Sequence, residues 1–504
     1  MNYTLMPSLE HGALIRTAIT SWNQSDIRAL MTEFYFPLLG SERREKWQEI
    51  EDKVIEKIPQ LPQPEPLKKE ILGFVKPIGL QILKWMEYHD ENCYLGIDLP
   101  NELCWTPQGA VDKKKTAEAL IKDENLDITR RYRLACIYCL EDDVRELWNS
   151  MPQRKKAAFY NEGHPSFSKE HELVVFWTYD IKGEVAKLNG LIKKIKGKEI
   201  SPYQFAFEYA AVGGNKAASE YFLQKLTPGE REESLVRYAG YVANRRSDCV
   251  SNPTDLPKED YADVLCFLLS QMNEEQQMEV FERYPYEVLK CLLDWPWQGF
   301  FMETANHMWG FLPEEDYNLL LRIIVNKVID GYKDCNYQKL FEEFWQQSSM
   351  THKAYVIDEC ASGSLLSKLF KVKDKKNIAL ILNDATTPEK EKIIFYREGK
   401  DICEGLAYGN EWDLLEFFIS ECISSQEKMI KFKEEFKKRI VRCRSKEKLE
   451  EEKDMRCKFF QLLDDLIQKG DKKRSMEEEN SSPAKRLCSL TSEQLSSSKE
   501  IFKG

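Results

Sequence analysis

The stretch DITRRYRLACIYCLEDDVRELWNSMP, Asp127 to Pro152, holds two short apolar patches of one shape. Leu134, Ile137 and Tyr138 stand at i, i+3 and i+4, and Val144, Leu147 and Trp148 repeat that spacing. Each patch is a helical stripe too short to bury itself alone, so the two must pack on each other or on further pairs. Glu141-Asp142-Asp143 lies between them, where a polar turn and an acidic N-cap for the second helix are expected. Pro152 closes the pattern.

Looser versions of this helix–turn–helix unit follow. Val174, Phe176 and Trp177 lead to Val185 and Leu188 across Asp180–Gly183. Residues Tyr203–Ala211 run through Gly213-Gly214-Asn215 to Ala217, Ala218, Tyr221 and Phe222. Leu406-Ala407-Tyr408-Gly409-Asn410 precedes Leu414, Leu415, Phe417 and Phe418. The two Gly-Asn turns read in one register, with Gly214-Asn215 placed before Phe222-Leu223 as Gly409-Asn410 is before Phe417-Phe418. Gly or Asn suits a tight helix–helix turn that contains a positive-φ residue.

The rest of the composition agrees with helices. A chain of 504 residues with only 23 Gly and 20 Pro is poor in tight turns and rich in Leu, Lys and Glu, and period-2 alternation is scarce. The expected fold class is all-α: an irregular, ankyrin-like α-solenoid of helix pairs. Residues 1–58 read as an N-terminal helical cap, and 59–66 (PQLPQPEP) as an extended Pro-rich linker. Residues 67–127 read as a helix and an aromatic loop, 128–425 as the helical-repeat domain, 426–469 as a charged amphipathic helix, and 470–504 as a disordered tail.

The pattern of Ala, Gly and Asn at a turn, followed by an apolar stripe ending in two large residues, resembles the ankyrin family. That resemblance implies stacked helix pairs whose faces bind other proteins. The chain departs from it in having no Thr-Pro-Leu-His signature, and its units are spaced about 30 to 40 residues apart, against about 33 in ankyrin. A generic HEAT- or TPR-like solenoid stays open, and neither family's binding residues transfer.

Motifs for chemistry are scarce. Cys136-x-x-Cys139 has metal or redox spacing, but lacks a second ligand pair or a βαβ setting, so two small packing residues are expected there. Gly213-Gly214-Asn215-Lys216 looks superficially like a phosphate loop, yet no strand precedes it and a repeat turn explains it better. No His-Glu-x-x-His, Walker or nucleophile-elbow pattern occurs. The expectation is a protein with no catalytic residues, no metal site and no cofactor.

Partners are expected to be other proteins. Trp295, Trp297, Trp309 and Trp345, in an unusually aromatic stretch, are the candidates for a partner surface, with core packing as the alternative. The formal net charge of −11 argues against general nucleic-acid binding. The segment Glu427–Lys448 is the exception, with ten Lys or Arg against four Glu. A basic 428–448 helix carrying Phe432 and Phe436 is therefore the rival, nucleic-acid-associated reading.

No membrane partner is expected, because no apolar run approaches the roughly 20 residues a span needs and no signal-peptide pattern opens the chain. The 14 scattered cysteines fit reduced thiols in a nuclear or cytoplasmic protein. In the tail, Lys472-Lys473-Arg474 and Lys485-Arg486, ten residues apart, have the form of a bipartite signal for a nuclear-import carrier. Ser482, before Pro483, is a candidate phosphosite beside the second basic cluster.

Overall fold

In the computed structural model the chain is all-α. The structure describes residues 1, 3, 7–34, 40–93, 103–160, 165–167, 170–248, 258–360, 365–442 and 454–468. Among these there is no strand, only an isolated antiparallel bridge between Trp105 and Val111. No described helix is long and apolar enough to cross a membrane. The chain divides into two compact units, Met1–Ser348 and Ser349–Gly504. The boundary falls inside the stretch 128–425 that the sequence reads as one repeat domain.

The stretch Asp127–Pro152 forms two helices, Ile128–Ile137 and Glu141–Ser150. The turn lies earlier than the acidic run suggests. Cys139 takes a left-handed conformation (φ 53°) and Leu140 is the N-cap. Glu141, Asp142 and Asp143 are thus the first turn of the second helix, where their carboxylates meet its positive end. Trp148 is buried, as its stripe requires.

The Cys139 turn has a defined hydrogen-bond signature. The Leu140 N–H donates to the Ala135 carbonyl at 2.9 Å, closing a six-residue loop that satisfies a carbonyl the ended helix leaves over. Among the described residues the same bond closes turns at Gly183, Gly214, Gly331, Lys373 and Asn410, each with positive φ. Aligning the turns at 139, 214, 373 and 410 on that residue reveals a shared frame. The positions five, eight and nine residues later are buried in all four: Val144, Leu147 and Trp148; Ser219, Phe222 and Leu223; Ile378, Ile381 and Leu382; Leu415, Phe418 and Ile419. The positive-φ residue is Gly214 in one Gly-Asn turn and Asn410 in the other. The sequence register is therefore offset by one, and Phe222 corresponds to Phe418, with Phe417 left half-buried.

In the first unit, helix Leu9–Trp22 packs on the long helix Glu65–Cys93. The Pro-rich segment between helices is short. Ile58–Gln60 makes one 3-10 turn, the Pro59 carbonyl accepts from Lys68 Nζ at 2.7 Å, and a helix resumes at Glu65. Pro59 and Gln60 thus belong to the 3-10 turn and Glu65 and Pro66 to the next helix, which leaves 61–64 between them, and most of 59–66 is exposed.

In the second unit, helices Arg397–Tyr408 and Trp412–Cys422 flank the Asn410 turn, and Gln426–Arg442 follows. Phe432 and Phe436 are buried, and Phe436 stacks on Phe459 of the helical segment 454–468 at 4.4 Å.

Candidate functional site

Two repeat turns of the first unit meet side by side. Asn215 caps helix Lys216–Leu223 by accepting from the Ala218 N–H, and its side-chain amide donates to the Ile137 carbonyl at 2.8 Å. One side chain therefore starts the second helix of one pair and fastens that pair to another. The next residue, Tyr138, donates its hydroxyl hydrogen to His89 Nε2 at 2.7 Å. The direction follows from the ring's other nitrogen, whose hydrogen must go to the Trp85 carbonyl, an acceptor only. Burial, with the nearby Lys113 charge, pulls the His89 pKa down to about 3, so the ring is a neutral strut.

Beside these turns lies a cleft of about 780 Å³. Its walls come from Tyr88, the loop and helix start at Gln108–Lys115, the turn Gly214–Ala217, the strip Asp260–Gln271 and Pro296-Trp297. Gly214 makes this closure possible. A Cβ there would lie 2.6 Å from Glu259 Cβ and 2.9 Å from the Asp260 nitrogen, and its φ of 66° also disfavours any other residue. The close approach brings Asp260 within 2.6 Å of Lys113 Nζ and 3.8 Å of Lys84 Nζ. Lys113 also lies over the Tyr88 ring, 4.8 Å from its centroid.

The cleft floor and rim differ in exposure. At the floor, Trp297 Nε1 donates to Asp263 at 2.6 Å, and burial together with the Asp260 charge holds the Asp263 carboxyl above the usual carboxylate range. At the rim, Lys114 and Lys115 are exposed, and Lys216 lies 3.7 Å from Glu220. An inner layer of paired charge, Lys113 with Asp260, under outer lysines and carboxylates suits the binding of a polar chain.

The aromatic candidates separate. Trp345 is fully buried and parallel to Phe341, and Trp297 is buried in the cleft floor. Trp345 has no exposed face to offer a partner, and Trp297 reaches solvent only as part of the cleft lining. Trp295 is half-buried against Phe74 and His11, and Trp309 is half-buried against Phe344. Both brace neighbouring helices.

The basic helix is internally engaged. Lys428 pairs with Glu391, Lys433 with Asp464, and Arg439 with Asp401 and Glu404. Phe432 and Phe436 are buried and unable to stack on bases. Cys136 and Cys139 are buried, and burial raises both thiols far above their ordinary range. Among the described residues no group of acidic, His or Cys side chains forms a metal cluster. The import-signal residues Lys472, Lys473, Arg474, Lys485 and Arg486, the phosphosite Ser482 and the tail 470–504 lie outside the described residues.

No family model and no curated protein matches this chain. Its site is therefore defined by its own geometry. Sequence reasoning missed these residues: Lys113–Lys115 are consecutive in the chain, but nothing local points from them to Asp260 or Asp263.

Proposed function

We propose that the chain is a non-enzymatic protein–protein interaction scaffold, an irregular α-solenoid of the ankyrin-like kind, that takes segments of other proteins in the cleft of its first unit. The observation that carries this reading is the cleft's construction. Two repeat turns fastened by Asn215 supply a rigid edge, and the outer lysines stand over an inner layer of paired charge. Rigid support with polar groups at the rim is what specific recognition of a chain requires. The test is quantitative capture from cells with the tagged full chain and its Lys114→Glu/Lys216→Glu variant. A defined set of proteins should fall by at least about threefold with the variant, since reversing rim charges slows association. An identical protein set from both would refute the cleft as the binding face.

The tail suggests where this happens. At 59.1 kDa the chain enters the nucleus slowly without a carrier, and the two basic clusters have the charge and spacing to engage one. Replacing Lys472, Lys473, Arg474, Lys485 and Arg486 with Ala should move a fluorescent fusion toward the cytoplasm. Ser482→Asp should act in the same direction by placing negative charge beside Lys485. A distribution unchanged by the five substitutions would leave the tail without this role.

A further inference from the structure

The charge balance of the cleft turns on one carboxyl group. Most charged side chains of its wall cancel in pairs, Lys115 with Asp112 at 3.2 Å and Lys216 with Glu220 at 3.7 Å. Asp260 instead faces two lysines, Lys113 at 2.6 Å and Lys84 at 3.8 Å, which leaves one positive charge over. Lys114 adds a second, since it is exposed and makes no ion pair among the described residues. Against these stand Glu118, half-buried, and Asp263 at the floor. Helices Lys113–Leu120 and Lys216–Leu223 both begin at this wall, and their positive ends add to the same side. With Asp263 ionised the side chains balance. With Asp263 protonated the cleft is positive, in a chain whose formal net charge is −11.

The surroundings of Asp263 favour its neutral form. Its helix, Tyr261–Ser270, also carries Cys266 one turn later, and Asp260 precedes it by one turn. Lys216 and Lys84 act on it from two other helices, and the Trp297 indole donates to it at 2.6 Å. Three more helices pack on Tyr261–Ser270, and the charged or titratable side chains they bury are Glu208, Tyr238, Arg246, Lys290 and Cys291. Glu208 is bonded to Tyr238 and Lys196, and Arg246 to Asp294. Burial and the Asp260 charge outweigh the lysines and the indole, so the Asp263 carboxyl is pushed up to about 6. It therefore loses its charge in mildly acid solution, where an ordinary carboxylate on a ligand keeps its own.

We propose that the cleft takes an acidic segment of a partner protein and that the Asp263 carboxylate opposes its entry. The inference rests on the scaffold reading and adds the charge of the segment and the group that regulates its binding. Lys114 and the two lysines on Asp260 supply the attraction. The Asp263 charge acts from the floor, where salt and water screen it less than they would at the surface. Binding of an acidic segment thus tightens as pH falls through about 6 and the floor loses its negative charge.

The probe is a rhodamine-labelled synthetic peptide of alternating Asp and Ser, titrated by anisotropy against the full-length chain. Titrations at about pH 7.5 and about pH 5.5 keep the peptide's own carboxylates ionised. The wild type should bind at least about threefold more tightly at the lower pH, because one opposing charge is gone. Asp263→Asn should bind at both pH values as the wild type does at the lower one, and Lys114→Glu should weaken binding at both. Equal wild-type affinities, a pH dependence that survives Asp263→Asn, or equal binding of an Asn–Ser peptide overturns the proposal. So does a wild type that binds no peptide at about 1 mM at either pH. Full displacement by about 1 mM inorganic phosphate would make the occupant a small anion, and overturns it too. If Asp263→Asn misfolds by far-UV circular dichroism, the Trp297 indole N–H resonance of the wild type decides the matter. It should shift with a midpoint of about 6, and a resonance that stays fixed between about pH 7.5 and about pH 5 overturns the inference. Captured proteins lost with Lys114→Glu/Lys216→Glu beside a pH-independent peptide would keep the scaffold reading and remove this inference, so the two failures are distinguishable.

Discussion

Arg246→Ala is expected to destabilise the Met1–Ser348 unit by about 3–5 kcal/mol, the range for removing one partner of a buried ion pair. Arg246 is 1% exposed and meets Asp294 in a two-pronged contact, Nε to Oδ2 at 2.5 Å and Nη2 to Oδ1 at 2.9 Å. Truncation leaves the Asp294 carboxylate buried without its fork. Lys327, buried nearby over the Tyr332 ring, cannot replace that bidentate geometry. The loss reflects an orphaned charge, not a net gain from the pair. Arg246→Met combined with Asp294→Leu, which leaves no charge behind, should therefore recover most of the stability.

The pair also sets a pH dependence. Burial alone would raise the Asp294 carboxyl, but the Arg246 charge and hydrogen bonds outweigh it and hold the group below its ordinary range. A carboxyl depressed in the folded state contributes stability above the unfolded value of about 3.9, and loses it as pH falls through the lower folded value. The stability gap between wild type and the double variant should be flat from neutral pH to about 5 and change only in more acid solution. Denaturant unfolding at several pH values measures both effects, and an Arg246→Ala loss below about 1 kcal/mol would contradict the buried-pair account.

Trp22→Ala is the second large effect, also about 3–5 kcal/mol, because it empties the joint between the first helix and the long one. Trp22 is fully buried, stacks on Trp47 at 5.6 Å and donates its Nε1 hydrogen to the Val75 carbonyl at 2.9 Å. The indole fits because position 79 is glycine. A Cβ there would come within 2.2 Å of Trp22 Cζ2. This contact makes a double-mutant cycle decisive. Gly79→Ala should cost about 1–3 kcal/mol in the wild type by overpacking, and little in the Trp22→Ala background, where the cavity accepts a methyl group. Additive losses would show that the joint is not made by this contact.

Much of the architecture was legible because its causes are local. Helical stripes declare themselves by a period of 3.6, and the turns at Gly214 and Asn410 by residues that tolerate positive φ. The equivalent turns at Cys139 and Lys373 carry no such marker, since nothing about a cysteine or lysine announces a left-handed backbone. Their positions, and the one-residue correction to the Gly-Asn register, come from the hydrogen bonds that close each turn. The tryptophans show the same limit: composition identified an aromatic-rich stretch, but only packing assigns Trp345 and Trp297 to the interior and leaves Trp295 and Trp309 half-buried.

By itself, then, the sequence determined the all-α class, the helix pairs and the two best-marked turns, all of which depend on neighbours within a few residues. Tertiary structure alone decided the division at Ser348, the meeting of Lys113 with Asp260, the pairing of Arg246 with Asp294, and the seating of Tyr3 against Phe300 and Thr304. Those partners stand from 48 to 301 residues apart in the chain. At such separations no local pattern links them, and it is the fold's burial of one surface against another that selects which charges and rings must find each other.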